Sequence, residues 1–205
     1  METSAPLLGE PLPVELMNTV WADQDGVHDS LADPDEALAW LSAVAPRTGL
    51  PAADLTQARP GDRADLARAL RRLRDALRRL AADATQDDRP AAASPTTDIQ
   101  AAAADVNRAA AAAPRWLAIE LAEGAAPRRV TRCARPAPDA AVSQIADAAV
   151  ALLAGPERES LRACHAPGCV LYFVRQHPRR EWCSPACGNR ARVARHYLRH
   201  ARKQP

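Results

Sequence analysis

The stretch CHAPGCVLYFVRQHPRREWCSPACGNRARVARHYLRH, residues 164–200, decides how the C-terminal part of the chain folds. It holds four of the five cysteines of a 205-residue sequence. These four are Cys164, Cys169, Cys183 and Cys187. Four and three residues separate the members of the two pairs, and thirteen residues separate the pairs. Cysteines clustered in this way indicate either a metal site or a redox or disulfide device.

The spacing favours a metal site. In a reducing compartment, clustered cysteines more often bind a metal than form disulfides. Two close pairs of thiolates can surround a tetrahedral zinc ion at about 2.3 Å, and four thiolates leave no open position for water or substrate. We therefore predict one structural zinc ion. Iron is the less favoured metal, and replacement of one thiolate by His165 is an unneeded alternative.

The segment between and after the cysteines predicts a treble-clef-like zinc finger. VLYFV (170–174) has the composition of a strand, RQHPRR (175–180) that of a turn, and EWC (181–183) returns the chain. From Ser184 onward the sequence predicts a helix with the last ligands in its first turn. Trp182, with Tyr172 and Phe173, is expected to form the core of the finger.

The C-terminal segment is strongly basic. Residues 164–205 carry nine basic residues and one acid, Glu181, whereas the rest of the chain carries 18 basic and 24 acidic residues. An arginine surface of one sign is typical of phosphate contacts, although a solvated surface helix is the alternative. The predicted nucleic-acid contacts are Arg175, Arg179, Arg180, Arg192, Arg195, Arg199, Arg202 and Lys203. Arg190 falls on the apolar side of the helix, which predicts packing or hydrogen bonding inside the finger.

The rest of the sequence predicts a mainly α fold. Alanine and leucine dominate the 47% of hydrophobic residues, and only 3% are aromatic, which favours helices over sheets. We expect an α-helical N-terminal domain with a short β-hairpin, followed by the small finger. The domains are predicted at 1–156 and 157–205, since Gly155 and Pro156 end a helical segment.

Helix and strand patterns place the elements of the N-terminal domain. Asp33 followed by Pro34 and Glu36 predicts a capped helix start. The strongest helix spans 61–84, and its leucine stripe is expected to be buried inside its own domain rather than in a dimeric coiled coil. That stripe comprises Leu66, Leu70, Leu73, Leu77 and Leu80. Further predictions are a loop at 87–98, helices at 98–113 and 138–155, and strands at 115–121 and 128–134.

Two other features have a structural and a functional interpretation. Residues 23–35 contain five aspartates and His28, which predicts a solvated acidic loop, with a small-molecule or metal-sensing site as the alternative. Cys133 is predicted to be a small buried residue, with a redox-sensitive thiol as the alternative. No catalytic triad, phosphate loop or zinc-protease signature is present, so we expect no enzymatic activity.

The sequence predicts a cytoplasmic location. No stretch approaches the roughly 18 to 20 apolar residues of a membrane span, and the N-terminal residues lack the basic start and apolar core of a signal peptide.

The C-terminal 40 residues resemble the CGNR zinc finger, whose signature stands here as Cys187, Gly188, Asn189 and Arg190. The surrounding RRxWCS…CGNRxRxxRHYxR pattern matches as well. MNTV at 17–20, WL at 40–41 and LRRLRDALRRL at 70–80 resemble the ABATE-type domain that precedes this finger in the family. The four cysteines carry over as zinc ligands, and Asn189, Arg190 and Trp182 take structural roles in the finger. Here three residues, rather than the more usual four, separate the last two cysteines.

The resemblance implies a stress-related bacterial transcription regulator that binds DNA. Because one small finger buries limited surface, sequence recognition requires a dimer or a second reading element. The alternative is a zinc-stabilised module whose basic helix binds an acidic protein or RNA.

Overall fold

The structure, a computed structural model, describes residues 5–48, 60–122 and 124–201 of the chain. Within these ranges the fold is mainly α, as predicted, with three separate two-stranded antiparallel sheets. The α-helices are α1 (Leu12–Met17), α2 (Pro34–Val44), α3 (Pro60–Thr85), α4 (Ile99–Ala111), α5 (Ala137–Ala154) and α6 (Pro185–Ala201). The strands are β1 (Val20–Asp23), β2 (Gly26–Asp29), β3 (Arg115–Glu120), β4 (Arg128–Cys133), β5 (Leu161–Ala163) and β6 (Tyr172–Val174).

Helix α3 is the centre of the N-terminal body, because α1, α2, α4 and α5 all pack against it. Its leucines recur every three to four residues, which places them on one face of a helix. That face is buried, with Leu70, Leu73 and Leu77 at most 1% exposed. The predicted leucine stripe is thus covered inside the chain itself.

Aspartate side chains begin two of the helices. Asp33 accepts hydrogen bonds from the backbone N–H groups of Asp35 (2.8 Å) and Glu36 (3.1 Å) at the start of α2. Asp98 accepts one from the backbone N–H of Ala101 (2.6 Å) at the start of α4. Because the first N–H groups of a helix have no partner within it, these caps fix where both helices begin, and the predicted start of α2 is confirmed.

Part of the predicted acidic loop is a β-hairpin. Residues 20–29 form β1 and β2, which pair from Val20–Asp29 to Asp23–Gly26. Gly26 has φ +129°, a conformation open chiefly to glycine, and it follows Asp25 in an Asp-Gly turn signal. The prediction of a loop was wrong at these positions: each strand carries one aspartate, at its end, and the Asp-Gly turn joins two short pairing segments.

The β3–β4 hairpin and α5 lie where the sequence predicted them. Helix α5 has the length and the mean hydropathy, 1.2, of a membrane-spanning helix, although the sequence was expected to contain no such stretch. Its apolar side is nevertheless used inside the chain, since Ile145, Ala146 and Ala149 are fully buried. By length and composition alone, α5 is therefore weak evidence for a membrane span.

The finger begins with a hairpin that differs from the predicted one. Strand β6 pairs with β5, which precedes the first cysteine, and residues 181–183 form no strand. Tyr172 and Val174 of β6 belong to the same buried cluster as the body leucines. The finger is consequently built onto the core of the N-terminal body.

Polar groups of the N-terminal segment pair with the edge of β6 that faces away from β5. The Asn18 side chain accepts a hydrogen bond from the Tyr172 N–H and donates one to the Tyr172 carbonyl, both at 2.9 Å. The buried Glu10 carboxylate accepts from the Val174 N–H at 2.9 Å and pairs with Arg180. Buried backbone groups need partners, so these side chains replace a third strand.

Arg78 of α3 lies at the junction of body and finger and is 2% exposed. Its guanidinium donates to the carbonyls of Met17 (2.9 Å), Ala92 (2.9 Å) and Val170 (3.3 Å). It also lies 5.3 Å from the centre of the Tyr172 ring. One side chain thereby joins the N-terminal segment, the loop after α3 and the finger.

The substitution Arg78→Ala is expected to lower the free energy of unfolding by about 2–5 kcal/mol, because it leaves buried carbonyls without partners and opens a cavity. The exposed Arg68 on the same helix forms a surface ion pair with Asp65. Arg68→Ala is therefore expected to change the free energy of unfolding by less than about 1 kcal/mol. Denaturant unfolding of both variants measures the difference. Equal effects would contradict the role assigned to Arg78.

Candidate metal centre and basic helix

Two segments bring the four cysteine sulfurs together. Cys164 directly follows β5, and Cys169 follows a turn in which Gly168 has φ +72°. Cys183 precedes α6 by two residues, and Cys187 lies in its first turn. All four sulfur atoms lie within 4.8 Å of one another.

The geometry and the donor set fit zinc. The sulfurs of Cys169 and Cys183 are 3.8 Å apart, and those of Cys183 and Cys187 are 3.4 Å apart. Sulfurs bound at 2.3 Å around a tetrahedral zinc are separated by about 3.8 Å. The four cysteines are at most 5% exposed, so a bound ion would be closed to substrate. Such a site stabilises structure rather than supplying catalysis.

The ionisation of the thiols fits a cation between them. Hydrogen bonds with Cys169 and Cys183 lower the pKa of the Cys164 thiol below its usual range. Hydrogen bonds with Cys164 and Cys169, together with burial, raise the pKa of the Cys183 thiol far above its usual range. Mutual repulsion therefore prevents joint ionisation, whereas a divalent cation stabilises all four thiolates.

The surroundings of the sulfurs supply hydrogen-bond donors. The Arg190 guanidinium donates to the Cys187 sulfur at 3.0 Å, and the Cys183 N–H donates to the Cys164 sulfur at 3.5 Å. A cation that donates to a ligand sulfur offsets part of the negative charge of a tetrathiolate site. Arg190 thus makes a hydrogen bond inside the finger, as its position on the helix predicted.

Gly188 and Trp182 fit together beside the metal ligands. A Cβ atom added to Gly188 would lie 3.1 Å from Cδ1 of Trp182, closer than an ordinary contact. Trp182 is partly buried against the cysteine cluster, and the Arg195 guanidinium lies 5.9 Å from the centre of its ring. Asn189 is exposed, and its side-chain oxygen accepts a hydrogen bond from Arg192. The glycine of the CGNR tetrapeptide therefore makes room for the tryptophan.

Arg89 of the body holds the first cysteine pair from outside. Its guanidinium donates to the carbonyls of Cys164 (2.6 Å) and Cys169 (2.7 Å) and forms a bidentate pair with Asp87. Asp87 also accepts a hydrogen bond from the Tyr172 hydroxyl at 2.7 Å. Asp87 and Arg89 lie in the predicted loop at 87–98, and their residue pattern does not predict this role. Its only local signal is a pair of opposite charges two residues apart.

The ionisation of Asp87 reflects these contacts. Burial alone would raise the pKa of its carboxyl group, but hydrogen bonds from Arg89 and Tyr172 outweigh burial and lower the pKa to about 2. A carboxyl group with a lowered pKa in the folded state stabilises that state above its unfolded pKa, near 4. This contribution is lost as the pH falls from about 4 to about 2.

The predicted nucleic-acid contacts fall into three groups. Arg175, Arg179, Arg192, Arg195 and Arg199 lie on exposed parts of the finger. Arg180 is different, because its guanidinium contacts Glu10 and the carbonyls of Val174 and Cys183. Arg180 is therefore already engaged within the fold, and its assignment as a nucleic-acid contact stays a prediction. Arg202 and Lys203 lie outside the described residues.

Two further candidates are placed by the structure. His165 is exposed and does not belong to the group of sulfur ligands, so the four cysteines form the ligand set without it. Cys133 is half-buried at the end of β4, where its sulfur accepts a hydrogen bond from the Arg135 N–H at 3.4 Å. It lies apart from the other cysteines.

Family comparison agrees with this arrangement of body and zinc finger. The CGNR zinc finger family matches residues 160–200. The chain belongs to the ABATE family, described as "Putative stress-induced transcription regulator", whose model matches residues 10–156. The chain has no match among curated proteins.

Removal of one ligand is expected to release the metal. Cys187→Ala should abolish stoichiometric zinc and lower the thermal stability of the finger, because ligation contributes an apparent ~10–16 kcal/mol in small zinc peptides. Cys133→Ala is the matched control and is expected to retain one zinc ion per chain. Elemental analysis of the two purified variants measures the number of zinc ions per chain in each. Retention of a full zinc equivalent by Cys187→Ala would contradict the assigned ligand set.

The contact between Asp87 and Arg89 is testable separately from the ligands. Asp87→Asn is expected to lower the free energy of unfolding at neutral pH by about 1–3 kcal/mol, because the buried side of Arg89 loses its charged acceptor. The neighbouring Asp88 is exposed, so Asp88→Asn serves as the control and is expected to have little effect. Thermal unfolding of the zinc-loaded variants measures both. Identical stability of the two would refute the proposed contact.

Proposed function

We propose that the protein is a bacterial, cytoplasmic transcription regulator that binds duplex DNA through the basic surface of its zinc finger. The zinc ion has a structural role, and the protein is not an enzyme. The four cysteines hold the start of α6, and α6 presents arginines to the phosphate backbone. The observation that carries the proposal is the different pairing of arginines in the body and in the finger.

Arginines of the body are mostly paired with acids. Arg72 forms a bidentate pair with Asp105 at 2.9 and 2.8 Å, and Arg74 pairs with Asp29 and Asp75. The hairpin arginines Arg128 and Arg132 both pair with Glu120. These guanidiniums are therefore already committed to partners of the same chain.

Apart from Arg180, which pairs with Glu10, the arginines of the finger lack such partners within the described residues. Across the described part of the chain, no salt bridge involves Arg175, Arg179, Arg192, Arg195 or Arg199. Arg195 donates a hydrogen bond to the Ala191 carbonyl, and its guanidinium lies 5.9 Å from the centre of the Trp182 ring. Arg192 donates to the side-chain oxygen of Asn189. Cations without an acidic partner can contact phosphate without breaking an ion pair, and release of counterions then drives binding.

A second candidate function is recognition of an acidic protein. The observation in its favour is the exposed apolar side of α6, where Val193 is 54% and Tyr197 70% exposed next to the arginines. Apolar side chains contribute little to contacts with phosphate but are common in protein interfaces. Competition between duplex DNA, RNA and a polyacidic protein distinguishes the two functions.

The substitutions Arg195→Ala and Arg199→Ala together are expected to weaken binding to duplex DNA. If both contact phosphate, the slope of log K against log salt should fall in magnitude by about 1.8, since each contact contributes about 0.9. Titration of labelled duplex at several salt concentrations measures the slope, with zinc content checked in parallel.

The matched control removes two paired arginines, Arg68 and Arg108, and so makes the same change in net charge. It is expected to leave the slope nearly unchanged. If both double variants weaken binding equally, binding follows net charge and the basic face of α6 is not the contact surface.

A further inference from the structure

The β3–β4 hairpin exposes apolar side chains that none of the other described elements covers. On one face Leu117 is 66% exposed, Ile119 76% and Leu121, just after β3, 75%. Trp116 on the other face is 52% exposed. An isolated two-stranded hairpin is at best marginally stable in water, whereas three or more strands are stable. A cluster of exposed apolar side chains of this kind marks an interaction surface.

The two outer edges of the hairpin differ in charge. Neither β3 nor β4 has another strand beside it among the described residues. The β4 edge carries Arg128, Arg129 and Arg132, and charged residues protect an edge against pairing. The β3 edge is apolar from Trp116 to Ile119, and its terminal charges are engaged, Arg115 with Asp147 and Glu120 with the β4 arginines. The β3 edge is therefore the one open to a partner.

We propose that two copies of this chain associate through antiparallel pairing of their β3 strands around a two-fold axis at Ala118. In this register Leu117 lies opposite Ile119 of the second copy, and Trp116 lies opposite its Glu120. Four aliphatic side chains then lie in adjacent rows on one face, and no like charges face each other. The result is a four-stranded sheet in the order β4, β3, β3, β4.

Other pairings of the same hairpins are disfavoured. Pairing of two β4 strands about Val130 places Arg128 opposite Arg132 of the second copy, and like charges directly opposite destabilise a sheet. Pairing of β3 with β4 of another copy is head-to-tail. It leaves an unpaired strand edge at each end of the assembly, so further copies can add and no closed dimer forms. Of these three pairings, only that of β3 with β3 about Ala118 is both closed and free of directly opposed like charges.

The association is tested first by mass in solution, without nucleic acid. The chain has a mass of 22.0 kDa, so light scattering is expected to give about 44 kDa for the native protein. Ile119→Lys puts a cation in the centre of the paired strands and is expected to give 22 kDa. Thr131→Lys adds the same charge to an exposed position of β4, on the same face but away from the paired edge, and is expected to stay at 44 kDa.

The register is tested by a disulfide at the axis, in a background with Cys133→Ser. Residues directly opposite each other have Cα atoms about 4.5–5.5 Å apart, within the range of a disulfide. Ala118→Cys is therefore expected to form a covalent dimer when diamide, a two-electron thiol oxidant, is added. Thr131→Cys is the control, because three strand spacings of about 4.8 Å separate the two copies of this position.

Each result decides the pairing. A native protein at 22 kDa, a dimer that survives Ile119→Lys, or equal crosslinking by both cysteine variants would overturn it. Circular dichroism and zinc content of the variants show whether they are folded. These measurements are made without DNA, so a monomeric result would contradict the pairing of the strands without contradicting the proposed DNA binding. If DNA binding also holds, the two-fold axis relates two fingers and predicts an inverted repeat as the binding site.

Discussion

The contact on which the structure depends most is that of Arg89 with the carbonyls of Cys164 and Cys169. A guanidinium from the loop after α3 holds the backbone of the first pair of metal ligands at 2.6 and 2.7 Å. Asp87 fixes that guanidinium and also accepts a hydrogen bond from the Tyr172 hydroxyl of β6. The finger and the body therefore form one packed structure whose shared polar contacts are mostly buried.

This connection explains how a finger with so small a core positions the start of α6. A metal ion held by the four cysteines would fix the start of α6 through Cys183 and Cys187, while Arg180 ties the turn before it to the buried Glu10. Beyond Arg192 the helix leaves the body, since Val193 and Tyr197 are exposed. The helix is thus fixed at its N-terminal end and accessible over the half that carries Arg195 and Arg199.

The elements that local sequence determines were predictable, and the contacts between distant segments were not. The leucine period of α3, the Asp33 cap and the cysteine spacing each follow from residues close together in the chain. Arg89 meets its carbonyl acceptors 75 and 80 residues away, and Arg180 meets Glu10 across 170 residues. From the sequence alone, Arg180 looks like any other solvent-exposed arginine, because no residue near it in the chain indicates that it pairs with the buried Glu10. Only the packed fold distinguishes it from Arg179.

The pairing of arginines, rather than their number, separates structural from functional charge in this chain. The net charge of +2 conceals a body in which guanidiniums such as Arg72 bind carboxylates. If such an arginine contacts phosphate, it must first lose its carboxylate partner, so the net gain in binding free energy is small. An arginine such as Arg199, which has no acidic partner among the described residues, exchanges only water and counterions for phosphate. Affinity for an anion therefore follows the distribution of acids along the chain, and the finger is the segment from which they are nearly absent.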